Sequence, residues 1–183
     1  MTRVPDQEVS KLFMDYKMSQ GDFPSEDCEP SVDQISAMQS LLTLKVTPYV
    51  HFSLWGPNNR RFQEKMKYSG HRFDPVNQTW TRIEFPGLKD FDDWFKSWQV
   101  FSTCILLLKE VSPEHFNAYC NHIRKMNYEY GTQCWFIIYQ ADVLMRSEQF
   151  ERIRRQAQMD LTVGCSVPGS SCSFVPVRPW DFI

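Results

Sequence analysis

A chain of 183 residues with 42% hydrophobic and 15% aromatic side chains is long and apolar enough to bury one sizeable core. This composition excludes wholesale disorder, a collagen-like repeat and a coiled-coil rod. Its 20 Lys and Arg and 22 Asp and Glu leave a formal charge of -2, which excludes a uniformly basic chain that wraps nucleic acid. A local basic patch stays compatible with that charge.

The sequence shows neither an export signal nor a membrane span. The apolar cluster nearest the N-terminus is interrupted at once by Asp15 and Lys17. The longest apolar runs, 104–108 and 134–139, fall well below the roughly 18 residues that cross a bilayer. We therefore expect an intracellular protein, cytoplasmic or nuclear, that binds no membrane. In such a compartment its six cysteines are expected to be reduced.

The first part of the chain divides into a leader and the start of a folded domain. Residues 1–30 hold seven acidic and three basic side chains, a net charge of -4 (3 − 7). They are predicted to form an acidic flexible leader that contains one short amphipathic helix. A helical globular domain is predicted over 31–160. It begins at a capping box formed by Ser31 and Gln34, and its first helix ends before Pro48.

The next part of the chain has weaker periodicity. A helix is predicted from Asn59 to about Tyr68, followed by a loop rich in Gly and Pro over 69–87. Within that loop, 80–83 is predicted as a short strand that pairs with the alternating residues 50–55 to make a minor β-hairpin.

The C-terminal half predicts three helices. Apolar residues recur with helical spacing over 91–108 and again over 116–126, and acidic residues lead each segment. The run 132–159 has no helix breaker, and its acid-first i,i+4 pairs favour a helix. Beyond it, 161–183 is linker-like in composition, and its apolar end indicates a truncated chain. The predicted fold class is mainly α, a single domain of about four to five helices with at most a minor β-hairpin.

The side chains expected in the core share an inward position in these patterns. Asp142 and Arg146 stand one helical turn apart and are predicted to pair, partly buried, against the helix over 112–130. The full set of predicted core residues is Trp55, Trp94, Trp98, Phe101, Trp135, Asp142 and Arg146.

The residue pattern predicts no catalytic or metal site. The strongest metal candidates are His115, Cys120, His122 and Cys134. Zinc sites use tight pairs of the C-x2–4-C or H-x3–5-H type, which this spacing lacks. The sequence also has no glycine-rich motif of the kind that holds phosphate. We therefore expect no metal, no cofactor and no enzymatic activity.

One stretch combines basic and aromatic side chains. Five basic residues against one acidic residue give 60–72 a charge of +4, and aromatic residues are interleaved through 60–73. This mixture suits a surface that follows phosphates and stacks bases, although it is also typical of a solvated amphipathic helix, which we favour. The candidate nucleic-acid-binding residues are Arg60, Arg61, Lys65, Lys67 and Arg72.

Four strings in the chain resemble a domain that recurs in predicted proteins of dinoflagellates, often beside retroelement polyproteins. They are PYVHFSLWGPNNRR, FDDWFKSWQVFSTCILLL, ADVLMRSEQFERIRR and RPWDFI. The matching residues are Phe52, Trp55, Gly56, Pro57, Trp94, Trp98, Val100, Phe101, Ala141, Asp142, Arg146, Glu148, Arg152, Arg178, Pro179 and Trp180.

This resemblance covers about residues 48–183. It implies a gag-like segment, in which a helical assembly domain precedes a basic, Cys/His-rich tail that binds nucleic acid. The chain ends at Ile183 without such a tail. The resemblance supplies no catalytic residue.

Together, these features predict a non-enzymatic protein-interaction or self-assembly module that binds itself or another protein chain. The alternative is a small RNA- or single-stranded DNA-binding domain that uses 60–73. The acidic leader and the basic stretch 60–72 carry opposite charges of equal size, so contacts between copies would produce weak association that fades with salt.

Overall fold

The computed structural model describes residues 3–57, 67–109 and 113–164. The helices are α1 (Asp6–Gln20), α2 (Val32–Thr43), α3 (Phe91–Leu107), α4 (Pro113–Tyr130), α5 (Trp135–Leu144) and α6 (Phe150–Gly164). The strands β1 (Lys67–Asp74) and β2 (Thr79–Pro86) form a two-stranded antiparallel sheet. The mainly α fold class with a minor β-hairpin is thus confirmed. No helix in the described ranges is long and apolar enough to cross a membrane.

Helix α3 lies at the centre of the core. Ten of its 17 residues are buried, because its apolar side chains recur around more than one face. It contacts α1, α2 and α4, and α4 in turn contacts α5. Helix α3 therefore connects α1, α2 and α4, and α4 connects this group to α5.

Helices α2 and α3 begin at side-chain caps, at the starts that the sequence predicts. The Ser31 hydroxyl accepts the Gln34 amide at 3.1 Å, and the Gln34 side chain accepts the Ser31 amide at 2.8 Å, which confirms the capping box. At α3, the Asp90 carboxylate accepts the Asp93 amide at 2.9 Å. Each such cap contributes about 1 kcal/mol to helix stability.

The acidic leader is joined to the core through α1. Val4 is buried, and its amide donates to the Ser36 hydroxyl at 3.0 Å. Lys109, two residues after α3, donates to the Asp15 carboxylate at 2.8 Å. The apolar side of α1, consisting of Val9, Leu12, Phe13 and Tyr16, packs half-buried against the core. The expected boundary at residue 31 is therefore wrong, because burial of this apolar side makes α1 part of the domain.

The hairpin differs from the predicted one in its partner strand. Residues 67–74 pair with 79–86, whereas 50–55 lie in turns and coil. The Asp74 carboxylate accepts the Val76 amide at 2.9 Å and so stabilises the intervening turn. The predicted helix to Tyr68 is wrong at its end, since β1 has already begun at Lys67; the part over 58–66 lies outside the described residues.

The predicted helix over 132–159 is broken into connected parts. A 3-10 turn at Thr132–Cys134 leads into α5, and a π-helical turn at Met145–Gln149 connects α5 to α6. Helix α6 continues to Gly164, so the first four residues of the expected linker are helical. The remainder of that expected tail, 165–183, lies outside the described residues.

Glu151 connects α6 to the loop that follows α2. Its carboxylate accepts the Thr47 amide at 3.0 Å, the Thr47 hydroxyl at 2.7 Å and the Arg154 guanidinium at 2.6 Å. These bonds lower the pKa of Glu151 to about 2, and the bond from Arg154 has the largest effect. The ionised carboxylate is consequently favoured in the folded chain.

Because the folded pKa of Glu151 lies below the unfolded value, its contribution to stability is present above pH about 4.5 and is lost as pH falls towards about 2. We expect Glu151→Gln to flatten the pH dependence of stability in that window. Urea unfolding midpoints of the two proteins, measured across it, test this. Glu129→Gln, at an exposed ion pair with Lys125, is the control. Parallel curves for the wild type and Glu151→Gln would contradict the expectation.

Candidate interaction surface

The structure describes two of the five predicted nucleic-acid-binding residues. Arg60, Arg61 and Lys65 lie outside the described residues. Lys67 and Arg72 are both exposed on β1. Since they are five residues apart on one strand, they lie on opposite faces of the hairpin. The hairpin therefore does not gather them into a single patch.

One face of the hairpin is directed to solvent. It carries three described cross-strand pairs, which are Ser69 with Glu84, His71 with Arg82, and Phe73 with Trp80, together with Lys67. We call this set the outer face, and all of its side chains are exposed. On the opposite face Gly70 is buried and Ile83 is half-buried, whereas Arg72 and Thr81, nearer the turn, are exposed. The opposite face of the hairpin thus covers the domain only near Gly70 and Ile83.

An aromatic pair lies near the turn on the outer face. The ring centroids of Phe73 and Trp80 are 5.4 Å apart, at an interplanar angle of 55°. Phe73 is 45% exposed and Trp80 is 64% exposed. Large apolar side chains with this exposure gain free energy when a partner covers them.

Basic side chains accompany the aromatic pair. Lys67 and Arg82 carry positive charge on the outer face, where Glu84 is the one acidic residue. The Arg82 guanidinium donates to the Ser69 hydroxyl at 3.1 Å, which orients it across the strands. The outer face therefore combines a mild positive charge with an apolar end.

The base of the hairpin is anchored in the core. Leu88, two residues after β2, is fully buried, and its carbonyl accepts the Trp135 indole N–H at 2.8 Å. This bond joins the strand exit to the first turn of α5. The exposed end of the hairpin is thus supported by a buried attachment.

All seven predicted core residues are buried, and the charged pair among them is enclosed. Asp142 and Arg146 are 1% and 2% exposed, and the Arg146 Nη2 to Asp142 Oδ2 distance is 2.7 Å. Tyr119 Oη and Trp94 Nε1 each donate to the same carboxylate at 3.0 Å. Burial raises the pKa of Tyr119, so its hydroxyl stays protonated and can donate.

Arg146 also reaches the loop before β1. Its Nη1 donates to the Val50 carbonyl at 3.0 Å, and its guanidinium lies 3.7 Å from the centre of the Phe52 ring. Both oxygens of its partner carboxylate already have donors within the protein. This arrangement joins α3, α4 and the π-helical turn, and it leaves no accessible surface on the pair for a substrate.

Cysteine and histidine side chains do not cluster in the described part of the chain. No group of three or more His, Cys, Asp or Glu residues there is arranged to hold a metal ion. Four described cysteines have free thiols, namely Cys28, Cys104, Cys120 and Cys134. Burial raises the pKa of the Cys104 and Cys120 thiols. A thiol with a raised pKa is a poor nucleophile at neutral pH.

Of the outer face, Lys67 is the one predicted site residue, and three residues of β2 on this face fall outside the predicted stretch 60–73, namely Trp80, Arg82 and Glu84. The signal that could have identified them is the alternation over 79–85, where Trp80, Arg82 and Glu84 alternate with Thr81 and Ile83. Strand pairing then brings Trp80 and Arg82 next to Phe73 and His71.

The comparisons with known proteins supply no relative for these surfaces. The chain matches no protein-family model, no curated protein and no solved structure.

Proposed function

We propose that this chain is a non-enzymatic protein-interaction module that associates with copies of itself, with the outer face of the hairpin as a contact surface. The observation that carries this proposal is the exposed Phe73–Trp80 pair. Trp and other aromatic residues are enriched at the centres of protein interfaces, as is Arg, and Arg82 adjoins the pair. Polar residues surround the pair, as they surround most interaction sites.

The form of the hairpin supports the same proposal. A two-stranded sheet has unpaired backbone groups along its edges, which a further strand can pair with. An isolated hairpin is also only marginally stable, so a contact that covers Phe73 and Trp80 would stabilise it. The buried attachment at Leu88 holds the hairpin in place before a partner arrives, which reduces the entropic cost of binding.

Two features of the sequence add support. The resemblance of 48–183 to gag-like helical domains favours an assembly role. The free thiols of Cys28, Cys104, Cys120 and Cys134 suit an intracellular location, which we propose as well.

Sedimentation velocity over a wide range of protein concentration tests the proposed function. We expect the wild-type mass to rise with concentration, and Trp80→Ser to weaken association by about 2 kcal/mol, or roughly 30-fold in Kd. Tyr128→Ser is the control, because Tyr128 is 89% exposed and belongs to α4, not to the hairpin. A wild type that stays monomeric at every concentration would contradict self-association.

A second candidate, binding of single-stranded nucleic acid, is favoured by Lys67, His71 and Arg82, which share the outer face with Phe73 and Trp80. Bases stack on such aromatic rings while basic groups contact phosphates. Fluorescence anisotropy with a labelled oligonucleotide at several salt concentrations tests this candidate. Two phosphate contacts would give a logarithmic salt slope of roughly -1.4. Such binding, lost in Trp80→Ser and seen with a monomeric chain, would replace the first proposal.

A further inference from the structure

Helix α5 presents an uncharged surface to solvent. Between Gly131 and Arg146 the one charged residue is Asp142, and it is buried. The exposed residues of this stretch are Thr132, Gln133, Ile137, Gln140, Ala141, Leu144 and Met145. A helix at the surface of a single domain normally directs charged or strongly polar residues outward.

The apolar members of this surface form a line along the helix. Ile137, Ala141 and Leu144 are spaced at i, i+4 and i+7, which places them on one side of α5. Ile137 is 55% exposed and Leu144 is 52% exposed. The other side of α5 buries Trp135 and Ile138. We call the line of Ile137, Ala141 and Leu144 the α5 stripe; with it, α5 is apolar on both sides.

We propose that the α5 stripe is the contact between two copies of this chain, packed antiparallel about a two-fold axis. This inference rests on the proposed function, since it names one surface through which the chain self-associates. A helix with apolar side chains on its outer as well as its inner side is normally buried on both sides, and here the domain covers the inner one.

The sequence of α5 is self-complementary in that arrangement. An axis between Gln140 and Ala141 places Ile137 of one copy against Leu144 of the other, and the same contact recurs on the far side of the axis. The small Ala141 side chain at the crossing allows the two helices to approach closely. No exposed charge of α5 enters the contact.

The ends of the contact are also complementary in charge. The same axis places the exposed Glu148 of one copy, in the π-helical turn, near the N-terminal end of α5 of the other copy. No side chain caps the 3-10 turn at Gly131 or α5 at Cys134. The positive end of the helix dipole therefore faces the Glu148 carboxylate, which favours the antiparallel pairing.

The size of this contact indicates a weak dimer. A single helix face per copy covers less than the roughly 800 Å² per partner of a standard stable interface. Apolar contacts are not screened by salt, and excluded salts strengthen them. Association through the α5 stripe should therefore persist as salt rises, in contrast to association between the acidic leader and the basic stretch 60–72.

Sedimentation velocity of the full chain at low and high salt tests the inference. We expect Leu144→Lys to raise the dimer Kd by about tenfold or more, because it places a charge in an apolar contact. Leu54→Lys is the matched control, since Leu54 is 58% exposed and lies outside α5. Circular dichroism of each variant verifies that the fold is kept.

A charge pair tests the antiparallel register itself. Ile137→Glu should also weaken association, whereas the double variant Ile137→Glu/Leu144→Lys should restore it in a salt-sensitive form, because the two new charges meet across the axis. Failure of the double variant to restore association would overturn this register.

The remaining outcomes separate the inference from the proposed function. Association that is unchanged in Leu144→Lys but lost in Trp80→Ser would overturn the α5 contact and keep self-association. A wild type that is monomeric throughout would overturn both. Loss in Leu144→Lys alone would support the α5 stripe and remove the hairpin from the contact.

Discussion

Replacing Trp98 with alanine should lower the free energy of unfolding by about 3–5 kcal/mol. The side chain is 3% exposed, and its ring centroid lies 5.2 Å from those of both Trp94 and Tyr119. It also contacts Phe116, with the ring centroids 5.5 Å apart. Removal of the indole leaves a cavity among large rings that cannot collapse readily, and this loss is a large part of the roughly 5–15 kcal/mol that stabilises an ordinary domain.

Urea unfolding followed by circular dichroism measures this change. Trp98→Phe keeps an aromatic ring in the site, so it should lower the free energy of unfolding less than Trp98→Ala does. The phenylalanine variant therefore still gives a measurable value if the alanine variant does not fold. Tyr128→Ala, at an 89% exposed position, should stay within about 0.5 kcal/mol of the wild type. An unchanged unfolding midpoint for Trp98→Ala would show that the indole is not part of the packed core.

Replacing one partner of the buried Asp142–Arg146 pair should lower the free energy of unfolding by a similar amount. Asp142→Asn leaves the Arg146 guanidinium buried without a counter-ion, and Arg146→Gln leaves the Asp142 carboxylate in the same condition. Each change should cost about 3–5 kcal/mol. The double variant should cost less than the sum, because it leaves no charge behind in the core.

A double-mutant cycle in urea measures that coupling. The exposed i,i+4 pair of Lys125 and Glu129, with 3.7 Å between its charged atoms, is a matched control that should contribute only a few tenths of a kcal/mol. If Asp142→Asn and Arg146→Gln are each neutral, the buried pair does not stabilise the fold.

The parts of the fold that were predictable from the sequence depend on signals close together in the chain. The capping box at Ser31 involves residues three apart, and the apolar spacing of α3 repeats every turn. The Asp142–Arg146 pair likewise spans a single turn. In each case neighbouring residues carry enough of the free energy to determine the local structure.

The parts that could not be predicted depend on contacts between distant residues. Helix α1 packs through its apolar side against core residues far along the chain, and Asp15 meets Lys109, 94 residues away. Glu151 on α6 likewise bonds to Thr47, 104 residues away. The π-helical turn at Met145–Gln149 has the same residue pattern as an α-helix. Arg146 in this turn donates to the Val50 carbonyl, 96 residues away, which a local residue pattern does not reveal.

The candidate surface was only half predictable for a related reason. The basic and aromatic content of 60–73 drew attention to β1, but the alternation in each strand is too short to distinguish a hairpin from a helix followed by a loop. Only strand pairing shows that Trp80 and Arg82 on β2 adjoin Phe73. The α5 stripe could not be predicted, because it lies in a largely apolar run. In such a run the sequence gives no contrast between residues that face the core and residues that face solvent.

The hydrogen bond from Arg146 to a residue far away in the sequence affects the rates of folding and unfolding. Its bond to the Val50 carbonyl spans 96 residues, and the bond from Trp94 to Asp142 spans 48. Long loops must close before such bonds can form, so we expect them to be absent from the folding transition state. Substitution of Arg146 would then accelerate unfolding and leave the refolding rate almost unchanged. By this reasoning Arg146 governs the lifetime of the folded chain and not the speed at which it folds.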